Sequence, residues 1–207
     1  MVLAKRAGRK TQTRRVLTAA NSLIDGGVLK KLWDRLNFAK AWVDPGPSPA
    51  GNPGPYLKAP TRDGETTHRI YPRSAVGDRL WGRETFQRCG GFIRYKADEA
   101  QVANSHPDAL KFDYQLKPSI FMPRWASRIL DQVVAVRPER LQDISEADAI
   151  AEGLEQCNEG GWHWPGGSAD FESPRACYWA GWDSINGKGA AAENPWVWVI
   201  TTKAVQP

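Results

Sequence analysis

The chain has 207 residues, 41% of them hydrophobic and 25% charged, a length and balance that suit one globular core and exclude wholesale disorder. No run approaches the roughly 20 apolar residues that span a bilayer, so no membrane role is expected. The net charge of +5 is local: Lys5, Arg6, Arg9, Lys10, Arg14 and Arg15 fall within the first fifteen residues with no acid among them, leaving 22 cations against 23 acids in the remainder. Such a cluster fits a phosphate-bearing partner, because each cation near a phosphate releases a condensed counterion. A solvated basic tail is the plainer alternative.

After this opening, Leu29, Leu32, Trp33 and Leu36 recur at helical spacing, which predicts an amphipathic helix capped by Asn21 or Ser22. Residues 44–66 are dense in proline and glycine and predict a long irregular surface loop, inserted into the domain. Strands are predicted over 67–71, from the Gly77-Asp78 turn through 79–86, and over 92–95. A further strand is expected over 127–136, stopping before Pro138, and the apolar run 196–200 reads as a buried strand. Ser145 with Asp148 forms a capping-box pattern for a short helix that Gly153 ends. Ser173-Pro174 opens another helix, whose stripe of Tyr178, Trp182 and Ile185 is expected in the core and which Asn186-Gly187 ends. Several short strands imply a curved sheet or small barrel.

Three cysteines without a CxxC pair, and no apolar leader, point to a reducing, cytoplasmic setting. Cys157, His163 and Cys177 match no closed zinc spacing and lack a fourth ligand, so neither a metal nor a cofactor is expected. Ten tryptophans suit a core before they suit a base-binding surface.

Chemistry concentrates in Gly8-Arg9-Lys10-Thr11-Gln12-Thr13-Arg14-Arg15. If residues 11–16 are extended, Thr11, Thr13 and Arg15 share one face and Gln12 and Arg14 the other. Lys10 is then placed to fold back toward the Thr13 hydroxyl, and a neutral amine there can take its proton. Arg9, Arg14 and Arg15 favour the neutral amine, since like charges oppose protonation. Glu152 falls in the last turn of the capped helix, facing the negative end of its dipole. It is either a solvated side chain, a partner for a cation such as Lys10, or an acid held protonated. Trp81 is a candidate base platform and Arg83 and Glu84 candidate supports, although alternation puts Trp81 and Glu84 on opposite faces. Lys117, Arg124 and Arg128 are candidates for extending a positive surface along a longer nucleic acid.

Taken in order, GRKTQTRR, GDRLWGRETF, LQDISEADAIAEG and WVWVI resemble the ASCH-domain proteins of the PUA-like superfamily, and phage and prophage members in particular. The resemblance implies an α+β fold, a PUA-like small β-barrel with flanking helices, as one domain over 1–207 with insertions at about 44–66 and 155–172. It implies a nucleoside or nucleic-acid partner, RNA in preference to DNA, in the cytoplasm of a bacterial host. One member of the superfamily is an amidohydrolase of N4-acetylcytidine with a GRKTxT motif. By that motif Thr13 is the expected nucleophile and Lys10 its base, and the member's glutamate, in its later short helix, falls on Glu152 as the acid that protonates the departing amine. Arg9, Arg14, Arg15, Trp81, Arg83, Glu84 and Arg124 are the candidates for contact with the ligand. The alternative is a non-catalytic reader of RNA or DNA, which needs the positive groove and not the nucleophile.

Overall fold

The computed structural model describes residues 2–24, 32–47, 54–89, 92–98, 116–158, 160–165, 167 and 170–205. The chain is a mixed α and β protein, mostly strands with few helices. Helix α1 (Val2–Arg6) leads into β1 (Gln12–Val16) and β2 (Ser22–Ile24), followed by β3 (Trp42–Asp44), β4 (Tyr56–Pro60), β5 (Thr67–Pro72) and β6 (Arg79–Trp81). The hairpin of β7 (Phe86–Cys89) and β8 (Phe92–Tyr95) precedes the long β9 (Leu130–Arg140). Helix α2 (Glu146–Ala151), the small hairpin β10 (Glu155–Gln156) and β11 (Trp162–His163), helix α3 (Pro174–Asn186) and β12 (Trp196–Ala204) complete the described elements.

The main sheet is antiparallel, in the order β1-β12-β9-β6, and curls into a half-barrel. Its inner strand β12 is buried on both faces, which is why its sequence is continuously apolar instead of alternating. Val197 and Val199 pack with Leu141, Ala149, Cys177, Tyr178 and Trp182 from the helical side. Trp198 points the other way, into a cluster with Leu57, Ala59 and Ile70 of the second sheet, whose order is β2-β5-β4-β3. The Trp198 indole N–H finds the Ser22 hydroxyl at 3.0 Å, so the largest buried side chain keeps its one polar group satisfied.

Both helix caps match their sequence patterns. The Ser145 hydroxyl accepts from the amide of Asp148 and the Ser173 hydroxyl from that of Ala176, while Gly153 and Gly187 take φ of +99° and +107° at the opposite ends.

Five expectations are corrected. Residues 44–66 are not wholly irregular: Tyr56–Pro60 is an inner strand, with Leu57 and Ala59 completely buried. Its prolines stand just before and at the end of the strand, so they cost little ladder bonding. Neither Asn21 nor Ser22 caps a helix, because Asn21 accepts the Thr18 amide in a tight turn and Ser22 opens β2. Of the helix expected there, 32–33 are helical, Leu36 bridges to Thr61, and Leu29 lies outside the described residues. The strand expected over 79–86 breaks after Trp81, where Gly82 passes so near Ile129 that an added Cβ would lie 2.8 Å from it. The strand expected over 127–136 instead begins at Leu130 and runs through Pro138. β6 reaches only Gln132, so the missing N–H of Pro138 faces an edge that no described strand pairs. Ile185 is 69% exposed rather than core, although Tyr178 and Trp182 of the same stripe are buried.

Candidate active site

Lys10 is held from three directions before its side chain does anything. Its amide donates to the Ala4 carbonyl of α1, and the amide of Thr11 donates to the Ala151 carbonyl at the end of α2. Gly153 then turns the chain against it: a Cβ there would come within 3.0 Å of Lys10 Cβ and 3.1 Å of Ala4 Cβ, at a φ that other residues rarely adopt. The stem of Lys10 is thereby directed inward. Its amine donates to Glu152 Oε2 at 2.6 Å and to the Glu152 carbonyl at 2.9 Å, with both side chains only 4% exposed. Of the three readings of Glu152, the ion pair with Lys10 is what the fold contains. The same contact caps a carbonyl at the negative end of α2.

Arg14, within β1, is fully buried at its side chain and ties the pair to the surroundings. It donates to Glu152 Oε1 at 3.3 Å, to Glu139 Oε1 at 3.0 Å and to Asp148 Oδ2 at 3.1 Å, and lies over the Tyr178 ring at 5.8 Å. Arg137 binds Asp148 at 2.6 Å from the other side, and Gln12 donates to Asp148 at 2.7 Å. Burial holds the Lys10 amine below its ordinary pKa; Glu152 pulls in the opposite direction, and the charges of Lys5 and Arg15 add to the lowering. The like charges expected to do this included Arg9 and Arg14. Arg9 is engaged instead by Glu155, and Arg14 by its three carboxylates.

A cleft of about 670 Å³ opens beside the pair. Lys10, Thr13, Arg14, Arg15 and Glu152 line it, as do Trp81 and Arg83 from β6 and the loop after it. The register sets Thr13 opposite Ile200 and Arg14 opposite Val199, so the two side chains leave β1 on opposite faces. Both border the cleft because β1 is an edge strand of the sheet. Among the described residues the Thr13 hydroxyl makes no hydrogen bond and the Lys10 amine donates to Glu152 alone, so the amine is turned to the carboxylate and not, as expected, folded back onto the Thr13 hydroxyl. Tyr178, whose hydroxyl is pushed up by burial, Trp164 and Trp182 supply aromatic faces.

Five candidate residues stand outside the cleft lining: Arg9, Glu84, Lys117, Arg124 and Arg128. Glu84 is buried under Arg128, which grips both its oxygens at 2.9 and 2.8 Å and also binds Asp98 at 2.6 Å. Arg128 is therefore neutralised and adds nothing to a positive surface, contrary to expectation. Arg9 is an exposed ion-pair partner, and Arg124 is exposed on the 3-10 turn Arg124–Ala126. Sequence reasoning counted Lys5 in the basic cluster without placing it at the site, and missed its partner Asp131, 2.5 Å away on the cleft wall, and the carboxylates of Glu139 and Asp148. Asp148 carried a signal, but one that reads equally well as a helix cap.

No protein-family model, curated protein or solved structure matches the chain. Among the described residues no three His, Cys, Asp or Glu side chains gather as a metal site, and no helix is long and apolar enough to cross a membrane.

Proposed function

We propose that the chain is an ASCH-type domain of PUA-like fold that hydrolyses the acyl group from the exocyclic amine of a cytosine-type nucleoside. The observation that carries this reading is the buried Lys10–Glu152 pair at the wall of a cleft that the unengaged Thr13 hydroxyl also lines. The volume of about 670 Å³ falls in the range of small-molecule sites, and aromatic walls suit a planar base. The half-barrel sheet and helical flank are consistent with the small barrel that the resemblance implies.

The desolvated Lys10 amine, in its neutral form, takes the Thr13 proton as Oγ1 adds to the acyl carbonyl. The protonated amine is then adjacent to a carboxylate at 2.6 Å, so the proton passes to Glu152. Glu152 delivers it to the exocyclic nitrogen as the C–N bond breaks. The free amine leaves and the acyl group remains as a Thr13 ester. Water, deprotonated by the same pair, attacks the ester carbonyl; the acyl–Oγ1 bond breaks, the acyl group leaves as its carboxylic acid, and the pair returns the proton to the Thr13 oxygen. Arg14, fixed by Glu139 and Asp148, keeps the Glu152 carboxyl aimed along this path.

The test is turnover of N4-acetylcytidine and other N4-acyl cytosine nucleosides by wild type, Thr13→Val and Glu152→Gln. Thr13→Val removes one hydroxyl with little change of shape and is expected to abolish turnover while the melting temperature holds. Glu152→Gln is expected to lose roughly 10²- to 10⁴-fold, the span for a positioned acid or base. Turnover unchanged in Thr13→Val sinks the mechanism, and no turnover on any acyl nucleoside by wild type sinks the activity.

A further inference from the structure

A second surface carries aromatic side chains that folding leaves outside. Lys117 and Phe86 exchange backbone hydrogen bonds of 2.7 and 3.1 Å, which lays the segment 116–126 across β7. Two 3-10 turns follow, Ser119–Phe121 and Arg124–Ala126, each preceded by a proline that fixes its approach. The segment is anchored by Met122 and Ala126, which bury against Phe86, and by the Tyr95 hydroxyl, which donates to the Ala126 carbonyl at 2.7 Å. Turning those two residues inward turns Ile120, Phe121 and Trp125 outward, to 67%, 65% and 68% exposure. Grouped, exposed and rigidly mounted, these side chains mark a binding surface rather than scattered surface apolar residues.

The charges beside them name the partner. Phe121 and Trp125 line a groove of about 610 Å³ together with Arg88 and Lys117, and Arg124 stands between the two aromatics in sequence. All three cations are exposed, and among the described residues none of them has an acidic partner. The groove is also tied to the cleft: Arg83 stacks on Trp81 at 4.6 Å and donates to the Ile120 carbonyl at 3.2 Å. Flat apolar faces interleaved with free cations suit alternating bases and phosphates. We propose that this groove binds single-stranded nucleic acid, holding nucleotides that flank the base in the cleft. The inference rests on the nucleoside reading of the cleft and names its substrate as a nucleotide within a strand.

Binding of a fluorescently labelled oligocytidine RNA of about twelve nucleotides, followed by anisotropy, tests it, beside turnover of free N4-acetylcytidine. Trp125→Ala and Phe121→Ala are expected to weaken RNA binding about fivefold to a hundredfold each, the range for loss of one stacked base. Arg88→Gln and Lys117→Gln should each shallow the slope of log K against log salt by roughly 0.7. Neither pair should alter turnover of the free nucleoside, which does not reach the groove. Binding indifferent to all four substitutions overturns the groove while leaving the activity standing. Groove-dependent binding without turnover on any substrate leaves the groove and removes the activity. Concentration-dependent dimerisation in sedimentation, abolished by Trp125→Ala and accompanied by no RNA binding, would assign the surface to a second copy of the chain and refute the proposal.

Discussion

Two sets of cations invite the same interpretation in the sequence and differ in what they face. In the N-terminal segment Lys5, Arg6, Arg9, Lys10 and Arg14 each meet a carboxylate from a distant part of the chain, at Asp131, Asp98, Glu155, Glu152 and Glu139 respectively. Arg15 alone of the six has no acidic partner among the described residues. On the other surface Arg88, Lys117 and Arg124 have no acidic partner among the described residues and stand beside exposed aromatics. Charge density along a sequence therefore locates cations, whereas the tertiary partners decide which of them a phosphate can reach. The first set builds a site; the second remains available to a polyanion.

The largest effect expected from this contrast is on stability. Lys10→Met leaves the buried Glu152 carboxylate with only the longer Arg14 contact, and breaking a buried pair from one side costs about 3–5 kcal/mol. Lys10→Met combined with Glu152→Leu should recover much of that loss, because no uncompensated charge then remains. Urea midpoints at constant m-value measure both. A single substitution that proves harmless would mean that the pair is solvated and that its geometry has no special electrostatic role.

A smaller and pH-dependent effect belongs to Asp148. Burial raises its carboxyl, but the hydrogen bond from Gln12 and the charges of Arg137 and Arg14 outweigh it and hold it below the ordinary 3.8. A depressed folded pKa gives stability that is complete above the unfolded value and is lost as pH falls through the folded one. Asp148→Asn should therefore flatten the acid limb of stability below about pH 4. Lys10 works with the other sign. Its folded pKa is lowered by burial, so between that value and the ordinary 10.5 the unfolded chain binds more protons and stability rises with pH. The same proton loss gives turnover a rising alkaline limb that begins below 10.5. A rate profile whose rising limb lies at or above the ordinary 10.5 would argue against a lowered, neutral Lys10 as base.

Local signals were legible in the sequence and long-range ones were not. Ser145, Ser173, Gly153 and Gly187 act within four residues of their own positions, and the caps they predict are where they were expected. The run 196–200 is likewise readable, because burial on both faces of β12 demands apolar residues at every step. The strand Tyr56–Pro60 was obscured by the prolines around it, which dominate composition without interrupting its ladder. For the site, the resemblance pointed to Lys10, Thr13 and Glu152, and the structure lines one cleft with all three. Glu139, Asp148 and Asp131 were not legible as parts of it. Arg137 is close in sequence to Glu139 and Asp148, but the cleft cations that these carboxylates and Asp131 meet, Arg14 and Lys5, lie more than a hundred residues away, and nothing in local spacing encodes that meeting. Glu84 illustrates the same limit, since only the fold brings Arg128 over it.

The smallest expected effect is the sharpest test of the contrast between the two cation sets. Arg9 forms an exposed pair with Glu155, and exposed pairs contribute about 0–1 kcal/mol, so Arg9→Gln should barely move the urea midpoint. It should also leave the salt slope of oligocytidine binding unchanged, because its charge is already answered by a carboxylate and releases no counterion from the nucleic acid. Lys117→Gln, a substitution of similar chemistry on a similarly exposed residue, should lower that slope by roughly 0.7. Arg15→Gln should resemble Lys117→Gln rather than Arg9→Gln if the strand passes the cleft, since Arg15 lines it without an acidic partner among the described residues. Equal slopes for Arg9→Gln and Lys117→Gln would show that phosphates count cations without regard to their pairing, and the distinction drawn between the two surfaces would fail.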